Sequence, residues 1–366
     1  MKAIRWLLKL MLVMITLPLI LAVWLAKWFV VFKIVFEYAN RMSQRGHQVE
    51  ILFLNECAFE TWNIPTVIKK KASDFLTIIE PKWFELNSSI KKISGTEPGM
   101  LKKIEGADIA IATAVDTVPA VEKLFRNTRK AYFIQDYEAW NVSEDEVKNT
   151  YRLGFNNIVI SDWLKEIVDG CTTIPSILIK NPVDIDVYCC KVAPKMRKKH
   201  SISFLYHEGK HKGAIYAIAA IEKLKYKYPD LEVNSFGTAK APANMPRYIN
   251  YMYCASQKQT VEIYNRSAVF LCATVAEGYG LTGLEAMACG AALVSTDYQG
   301  VHEYAIDGVN ALLSPIKDVD ALVSNVSKLF DNDELRYQIA EAGMKSVQRD
   351  FNWDVAVDKF EKAITE

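Results

Sequence analysis

Short apolar runs alternate along the chain with longer segments of mixed polarity. The runs have the length of strands, and we predict buried strands over 106–114, 131–135, 157–161, 176–180, 202–206, 231–237, 269–274 and 291–296. Segments between them predict helices over 118–125, 162–168 and 214–224, and the capping box at residues 143–146 opens another helix. Because strands and helices alternate, the pattern predicts an α/β fold built on parallel sheets.

The stretch Val269–Gly308 is the most informative part of this pattern. A glycine-rich loop and a helix lie between its two strands, and this order is half of a nucleotide-binding α/β unit. The first backbone N–H groups of the helix, near Leu281, have no intrahelical partner. Glycines in the loop let a ligand approach them closely, so this helix end is suited to phosphate or sugar oxygens.

Two carboxylates flank this helix end. Glu277 precedes the loop and Glu285 lies one turn inside the helix, with seven residues between them. Such a pair can accept hydrogen bonds from the hydroxyl groups of a sugar. An isolated pair of this kind would be interpreted as a solvated loop residue and an ordinary helix residue. The surrounding loop, helix and strand favour the ligand-binding interpretation.

These residues resemble the donor-site signature of the family-4 glycosyltransferases, which are retaining enzymes that use nucleotide sugars. The chain reads Glu277-Gly-Tyr-Gly-Leu-Thr-Gly-Leu-Glu285-Ala-Met-Ala-Cys-Gly290 and then Gln299-Gly-Val-His-Glu-Tyr-Ala-Ile-Asp-Gly308. Thr282 replaces the usual proline, and Gln299 replaces the usual first glycine. The resemblance implies a GT-B-type architecture: two facing Rossmann-like α/β domains, a donor cleft between them, and a carboxyl-terminal helix that crosses back to the first domain.

The same resemblance implies the domain limits. We expect a hydrophobic segment over 1–32, an acceptor domain over 33–188, a linker over 189–200, a donor domain over 201–348 and a crossover helix over 349–366. The acceptor domain would open with a helix over 34–49 and a strand over 50–54. The donor domain would close with helices over 318–329 and 333–342. The linker contains five Lys or Arg residues between Cys189 and His200, so we predict a solvated basic segment.

The resemblance also implies a role for each residue of the donor loop. Glu277 would bind the sugar hydroxyls, and Glu285 would hold the ribose or the distal phosphate side. The backbone amides at the helix terminus would stabilise the pyrophosphate, which places Gly280, Leu281 and Thr282 in the site.

Three basic residues near the start of the donor domain are further candidates. Family members carry an Arg and then a Lys-Gly here, and Lys212-Gly213 matches the second element. The Arg is absent, so His207 or Lys210 would have to take its place. Neither has the bidentate fork of Arg, which could weaken the orientation of the phosphates. The alternative for Lys212 is an ordinary basic surface loop.

Asp136 is the second catalytic candidate. It follows the predicted strand 131–135, and ligands of open α/β sheets lie at the carboxyl ends of strands. In the family, an acidic residue or a His at this point faces the reactive side of the sugar. The alternative is a simple turn or helix cap.

No metal or other cofactor is expected. Asp184 and Asp186 form an Asp-x-Asp pair of the type that binds a divalent cation in other glycosyltransferases. An equally good pair occurs at 318–320 in a surface context, so the pattern has little specificity.

The amino-terminal 32 residues depart from the family. Residues 10–26 are uncharged and mostly aliphatic, slightly short of the ~20 residues that span a bilayer as a helix. A membrane anchor or interfacial segment over 10–32 and a buried first strand are equal alternatives. The family's glycine loop is missing, because Gly46 is the first glycine and residues 22–31 carry bulky side chains instead. Either the loop is rebuilt or activity is impaired.

Charge and cysteine content narrow the class of protein. Lys plus Arg (44) and Asp plus Glu (43) nearly balance, so nothing favours a nucleic-acid partner. The seven cysteines include no C-x-x-C pair and are interpreted as reduced thiols. We therefore expect a cytoplasmic protein, with attachment to the cytoplasmic face of the membrane as an alternative.

The sequence as a whole predicts a retaining glycosyltransferase that moves a hexose from a nucleoside-diphosphate sugar to an acceptor hydroxyl. The acceptor would be a sugar or a lipid-linked sugar, in polysaccharide or glycolipid assembly. The alternative is a catalytically impaired nucleotide-sugar-binding protein, which the missing glycine loop favours. A two-domain epimerase of related fold is disfavoured by the match at 277–290.

Overall fold

The structure is a computed structural model that describes residues 33–53, 84–94, 106–139 and 142–366, with the single positions 65, 67, 68, 71 and 75. It divides into two compact units, Met1–Ala107 and Asp108–Glu366. The hydrophobic segment 1–32, and with it the position of the missing glycine loop, lies outside the described residues. Among the residues that are described, no helix combines the length and apolarity needed to cross a bilayer.

The longer described stretches of the first unit include a helix and a parallel pair of strands. Helix α1 covers 33–44, β1 covers Glu50–Phe53 and β2 covers Lys91–Ser94. Phe36 of α1 is buried and its ring centroid lies 5.6 Å from that of Phe84. The helix and strand predicted over 34–49 and 50–54 are therefore present with shorter limits, and Leu54 lies outside the described residues.

The second unit begins with a four-stranded parallel sheet in the order β3-β4-β5-β6. All four strands overlap predicted apolar runs, and three helices connect them. The strands are Ile109–Ala112 (β3), Arg129–Ile134 (β4), Asn156–Val159 (β5) and Ile177–Leu178 (β6), and the helices are Val118–Leu124 (α2), Glu144–Tyr151 (α3) and Asp162–Asp169 (α4). The capping box of α3 is confirmed, since Ser143 Oγ accepts from Glu146 N and the Glu146 carboxylate accepts from Ser143 N.

A six-stranded parallel sheet follows in the order β12-β11-β10-β7-β8-β9. Its strands are Ser201–Leu205 (β7), Glu232–Gly237 (β8), Ile249–Tyr253 (β9), Val269–Cys272 (β10), Ala292–Thr296 (β11) and Ala311–Ser314 (β12). Its helices are Ala214–Lys227 (α5), Gln257–Arg266 (α6), Leu281–Ala288 (α7), Val319–Asp331 (α8) and Asp333–Asp350 (α9). The edge strands β9 and β12 are absent from the sequence prediction, because β9 is only partly buried and its sequence INYMY is not a continuous apolar run.

The carboxyl-terminal helix packs on the four-stranded sheet. Helix α10 covers Trp353–Thr365, and its Phe360 ring meets Phe133 of β4 edge to face at 5.6 Å. Arg129 Nη1 donates to Thr365 O at 2.6 Å. The predicted return of this helix to the first sheet of the unit is therefore present. The predicted acceptor domain 33–188 is divided between the two units, and its limits remain a prediction.

One residue of the predicted solvated linker is buried. Arg197 is 7% exposed, and its guanidinium donates to the carbonyl oxygens of Tyr264, Ser267 and Cys289. These carbonyls lie at the carboxyl ends of α6 and α7, where unpaired C=O groups and the helix dipole favour a cation. The interpretation of 189–200 as solvated is therefore wrong for Arg197. All six cysteines in the described part of the chain are free thiols.

Candidate functional site

The candidate site lies at the carboxyl edge of the six-stranded sheet, where the loops after β7 and β10 meet. The backbone N–H groups of Val275 and Ala276 donate to His211 O at 2.7 and 3.2 Å. Gly213 has φ +63°, and a Cβ at this position would overlap Ala273 O. The close approach of the two loops thus requires the glycine of Lys212-Gly213.

Lys212 and Glu277 form an ion pair between Lys212 Nζ and Glu277 Oε1. Both side chains are about four-fifths buried, with 18% of each exposed. The predicted phosphate-binding cation and sugar-binding carboxylate are therefore direct neighbours. A ligand in this site would meet a preorganised pair of charges instead of two flexible side chains.

The amino terminus of α7 is fixed by a hydrogen bond to the carbonyl oxygen of Gly280. Tyr304 OH donates to Gly280 O at 2.9 Å, and the hydroxyls of Tyr298 and Tyr304 lie 2.9 Å apart. Gly280 has φ +94°, and a Cβ here would overlap the Tyr298 hydroxyl. Leu281 and Thr282 follow as the first residues of α7 and are partly exposed. Gly283 N also donates to Gly280 O at 3.1 Å, so Leu281 and Thr282 supply the first-turn N–H groups that are available to an anion.

Glu285 faces a different set of groups from Glu277. It is 8% exposed, and Tyr264 OH donates to its Oε2 at 3.3 Å. Burial and then the Glu285 charge raise the pKa of Tyr188 above its usual value. Glu277 and Glu285 therefore have different surroundings. Glu277 lies beside Lys212, whereas Glu285 lies beside buried tyrosines.

Asp136 lies against the donor loop. A Cβ on Gly278 would be 2.8 Å from Asp136 Oδ1, so a glycine is needed for this approach. Burial raises the Asp136 pKa to about 6, and the Glu277 charge also raises it. The Lys212 charge and the N–H groups of Tyr137 and Gly278 lower the same pKa. The structure therefore brings Asp136, Glu277 and Lys212 together.

The two candidates for the missing Arg differ in exposure. His207 Nδ1 accepts from Gly209 N at 2.9 Å, and burial, followed by the charges of Lys212 and His211, lowers the His207 pKa. A neutral His207 then carries its proton on Nε2 and can donate it. Lys210 is exposed on the one-turn 3₁₀ helix Lys210–Lys212. Which of the two replaces the Arg stays a prediction.

Sequence reasoning missed two residues near this site, Trp163 and Glu303. Trp163, at the start of α4, donates from Nε1 to Gly278 O at 3.0 Å. Glu303 accepts from Asp162 N at 2.7 Å and pairs with Lys180 at 3.0 Å. The Gly-Val-x-Glu motif contains Glu303 and could have identified it, whereas no pattern in the sequence marks Trp163.

Asp184 has a local structural role. Its Oδ1 accepts from Asp186 N at 3.1 Å and from Val187 N at 3.3 Å, which closes a turn of the type that Asp side chains commonly form. Within the described residues, no three or more metal-ligating side chains come together. The expected lack of a metal remains an expectation.

Comparison with known proteins finds one family and several individual proteins that this chain resembles. Residues 193–346 match the family of Glycosyl transferases group 1. The chain is 25% identical over 193 residues to a phosphatidyl-myo-inositol mannosyltransferase of Mycolicibacterium smegmatis. The alignment covers 48% of this chain and 49% of that protein. The first curated relatives are matched over only 22% to 49% of their own length.

Solved structures show the same fold. Sucrose-phosphate synthase from Thermosynechococcus elongatus superimposes with a TM-score of 0.72 at 14% identity, over 90% of this chain and 91% of that one. Anabaena HepE in complex with UDP and glucose gives 0.67 at 12% identity, over 87% and 99%. The predicted α/β fold with two Rossmann-like domains is confirmed. The match over residues 193–346 supports the resemblance to the group 1 glycosyl transferases, whereas membership of family 4 stays a prediction.

Proposed function

We propose, from the membership of residues 193–346 in the group 1 glycosyl transferases, that this chain is a retaining glycosyltransferase. It moves a hexose from a nucleoside-diphosphate sugar to the hydroxyl of a sugar or lipid-linked sugar, in polysaccharide or glycolipid assembly. The observation that carries the proposal is the cluster of Lys212, Glu277 and Asp136 beside the amino terminus of α7.

The donor pyrophosphate is the group that this site suits best. As the sugar–phosphate bond breaks, negative charge accumulates on the leaving diphosphate. The Lys212 ammonium and the N–H groups at Leu281 and Thr282 supply fixed positive charge beside it. His207 or Lys210 adds the second contact. Because these groups are held by the β7 and β10 loops, little reorganisation is needed during the reaction.

The carboxylates act on the sugar side. Glu277 accepts hydrogen bonds from the sugar hydroxyls, and Glu285 binds the ribose or the distal phosphate. With a pKa of about 6, Asp136 is mostly ionised at neutral pH and can stabilise positive charge on the anomeric carbon. The leaving phosphate takes the acceptor proton on the same face, which retains the configuration without a separate protein base.

Related proteins support this choice of substrates. The mycobacterial relatives are named phosphatidyl-myo-inositol mannosyltransferases, and HepE holds UDP and glucose. A lipid-linked acceptor would place the protein at the cytoplasmic face of a membrane, with residues 10–32 as the contact. No metal or other cofactor is required in this scheme.

A binding screen followed by product analysis tests the proposal. Thermal melting is measured with UDP, GDP, ADP, TDP and their sugars, since a ligand stabilises in proportion to its occupancy. The stabilising donor is then incubated with sugar and lipid-linked acceptors, and the anomeric configuration of the product is read by NMR. Glu277→Ala should abolish transfer. Glu232→Ala, which breaks the exposed ion pair with Lys198 at the opposite edge of the sheet, is the matched control.

The outcomes separate the candidate functions. Transfer with retained configuration supports the proposal, whereas an inverted product contradicts it. Donor binding without transfer by any acceptor supports the impaired, nucleotide-sugar-binding alternative that the missing glycine loop favours. If no nucleotide or nucleotide sugar stabilises the protein, both functions fail.

A further inference from the structure

Two buried tyrosines pack against the amino terminus of α7. Tyr298 precedes the 3₁₀ helix Gln299–Glu303 and Tyr304 follows it, and both side chains are buried. A Cβ on Gly280 would overlap the Tyr298 hydroxyl, and a Cβ on Gly283 would lie 2.5 Å from the Tyr304 hydroxyl. Glycines at these two positions therefore let both phenol groups reach the backbone of the first turn.

The hydroxyl hydrogens of the two tyrosines have one consistent arrangement. Tyr304 OH donates to Gly280 O at 2.9 Å, and a hydroxyl has only one hydrogen to donate. The hydroxyl oxygens of Tyr298 and Tyr304 lie 2.9 Å apart, so Tyr298 is the donor in that bond. Tyr279 O, at 3.5 Å from the Tyr298 hydroxyl, is a weaker second acceptor. The chain of donors thus runs from Tyr298 through Tyr304 to the Gly280 carbonyl.

Burial keeps this chain in one protonation state. It raises the pKa values of the Tyr298 and Tyr304 phenols well above their usual range, so both remain protonated donors at neutral pH. A buried hydroxyl without a partner is unfavourable, and the acceptors of this pair are Tyr304 itself and the loop carbonyls of Tyr279 and Gly280. The chain therefore favours one conformation of the loop before any ligand binds.

The Gly280 carbonyl belongs to the same peptide unit as the Leu281 N–H. Because this unit is planar, the direction of the carbonyl sets the direction of the N–H on its opposite side. The Gly280 oxygen accepts from Gly283 N at 3.1 Å as well as from Tyr304, so two donors hold it. Leu281 is the first residue of α7, and its own N–H has no acceptor within the helix. This N–H is therefore fixed in direction and available to a ligand.

We infer that Tyr298 and Tyr304 are positioning residues, whose hydroxyl chain orients and polarises the Leu281 N–H for the donor diphosphate. Hydrogen bonds in a chain polarise one another, so donation to the Gly280 oxygen makes the N–H of the same peptide unit a stronger donor. The inference deepens the proposed function, on which the identity of the anion rests. Neither tyrosine touches the ligand in this scheme, and both act through the peptide between Gly280 and Leu281.

The first test needs no ligand. The full-length protein is labelled with [¹⁵N]leucine, and Leu281→Met assigns the Leu281 amide signal. Tyr304→Phe keeps the ring and removes the hydroxyl, so the Leu281 ¹⁵N signal should move upfield as its peptide carbonyl loses a donor. Tyr298→Phe should move the signal in the same direction by less, because Tyr304 still donates to Gly280 O. An unchanged Leu281 signal in Tyr304→Phe overturns the inference.

Other leucines in the same sample report a general loosening of the fold. Leu271 of β10 and Leu293 of β11 lie in the neighbouring strands, and their amide signals should stay in place in both variants. Shifts as large as that of Leu281 would contradict a specific role for the hydroxyl chain. If Tyr304→Phe does not fold, the smaller shift in Tyr298→Phe decides the question.

The second test measures binding of the anion. UDP, GDP and inorganic pyrophosphate are titrated calorimetrically into the wild type and Tyr304→Phe. Each of them that binds the wild type should bind the variant about twofold to tenfold more weakly, which is the effect of one hydrogen bond. Tyr228→Phe is the matched control, because it removes the same group from a buried tyrosine whose hydroxyl donates to Asp331 Oδ1 at 2.8 Å. The control should bind these ligands as the wild type does.

The outcomes separate this inference from the proposed function. Unchanged affinity of Tyr304→Phe for a diphosphate that the wild type binds overturns the inference, even if the Leu281 signal moves. An equal loss of affinity in Tyr228→Phe also overturns it. If none of the three ligands binds the wild type while the Leu281 signal moves in Tyr304→Phe, the proposed function fails. The hydroxyl chain then still orients the peptide.

Discussion

Lys180 Nζ lies 3.0 Å from Glu303 Oε2, and this ion pair joins the end of β6 to the turn after β11. Glu303 is 6% exposed, whereas about a third of the Lys180 side chain is exposed. Asp162 completes the group, since its carboxylate lies 3.3 Å from Lys180 Nζ and its N–H binds Glu303. A buried carboxylate thus connects the two sheets of the second unit beside the donor loop.

Glu303→Gln should destabilise the protein. The change removes a buried charge that accepts one backbone N–H and forms an ion pair with one ammonium, and we expect a loss of about 1–3 kcal/mol in the free energy of unfolding. Urea unfolding measures it. Glu232→Gln, in the exposed pair with Lys198, should lie within about 0.5 kcal/mol of the wild type. Equal losses in both variants would argue against a special role for the buried pair.

Gly280→Ala should weaken nucleotide binding. Its Cβ would overlap the Tyr298 hydroxyl and displace the amino terminus of α7. Gly308→Ala is the control, because Gly308 also has a positive φ, +71°, but no atom lies within 4 Å of its Cβ. Both variants should lose about 1–2 kcal/mol of stability from the left-handed backbone. Gly280→Ala should lose more stability than Gly308→Ala, because of the overlap with Tyr298. It should also be the only one of the two that binds UDP or GDP more weakly in a calorimetric titration.

Arg197→Lys should be destabilising despite the retained charge. Lys cannot reproduce the planar fork that reaches the carbonyls of α6 and α7. We expect a loss of about 3–6 kcal/mol in the free energy of unfolding, corresponding to two hydrogen bonds to a charged group. Lys191→Ala, an exposed change in the same segment, should be nearly neutral. A neutral Arg197→Lys would mean that the buried contacts contribute little.

Stability should fall as the pH rises from about 4 to 7. Asp136 and Glu138 have pKa values raised mainly by burial to about 6 and about 7, so the folded state binds more protons than the unfolded state in this window. Stability then decreases as each group ionises. For Asp136 the difference is at most about 3 kcal/mol. Asp136→Asn should flatten the stability–pH curve between pH 4 and 6, and an unchanged slope would contradict the raised pKa.

The same ionisation should be visible in catalysis. If the charged Asp136 is the active form, kcat rises as the pH passes through about 6. Glu138→Gln should leave this limb in place, because Glu138, with a pKa of about 7, is mostly protonated where Asp136 titrates. Rate measurements between pH 5 and 8 at saturating donor test both statements. A limb that stays in place in Asp136→Asn would assign it to another group.

The apolar pattern alone predicted most strands and helices of the second unit, because buried parallel strands are continuous apolar runs bounded by turns. It also located the donor loop, because a glycine-rich loop between a strand and a helix is typical of nucleotide binding. The apolar pattern did not predict the edge strands β9 and β12. Their outer sides face no second strand, so β9 in particular does not need a fully apolar sequence.

Sequence by itself determined which residues of the donor loop are candidates, namely Glu277, Glu285 and Gly280–Thr282, and it pointed separately to Lys212 and Asp136. Only the tertiary structure decided that Lys212 pairs with Glu277 and that Asp136 contacts Gly278. The partners of these contacts are up to about 140 positions apart in the chain. Their distances depend on strand order and on the packing of the two sheets, which local periodicity does not encode. Trp163 shows the same limit: an indole near a helix start becomes informative only when its partner is known.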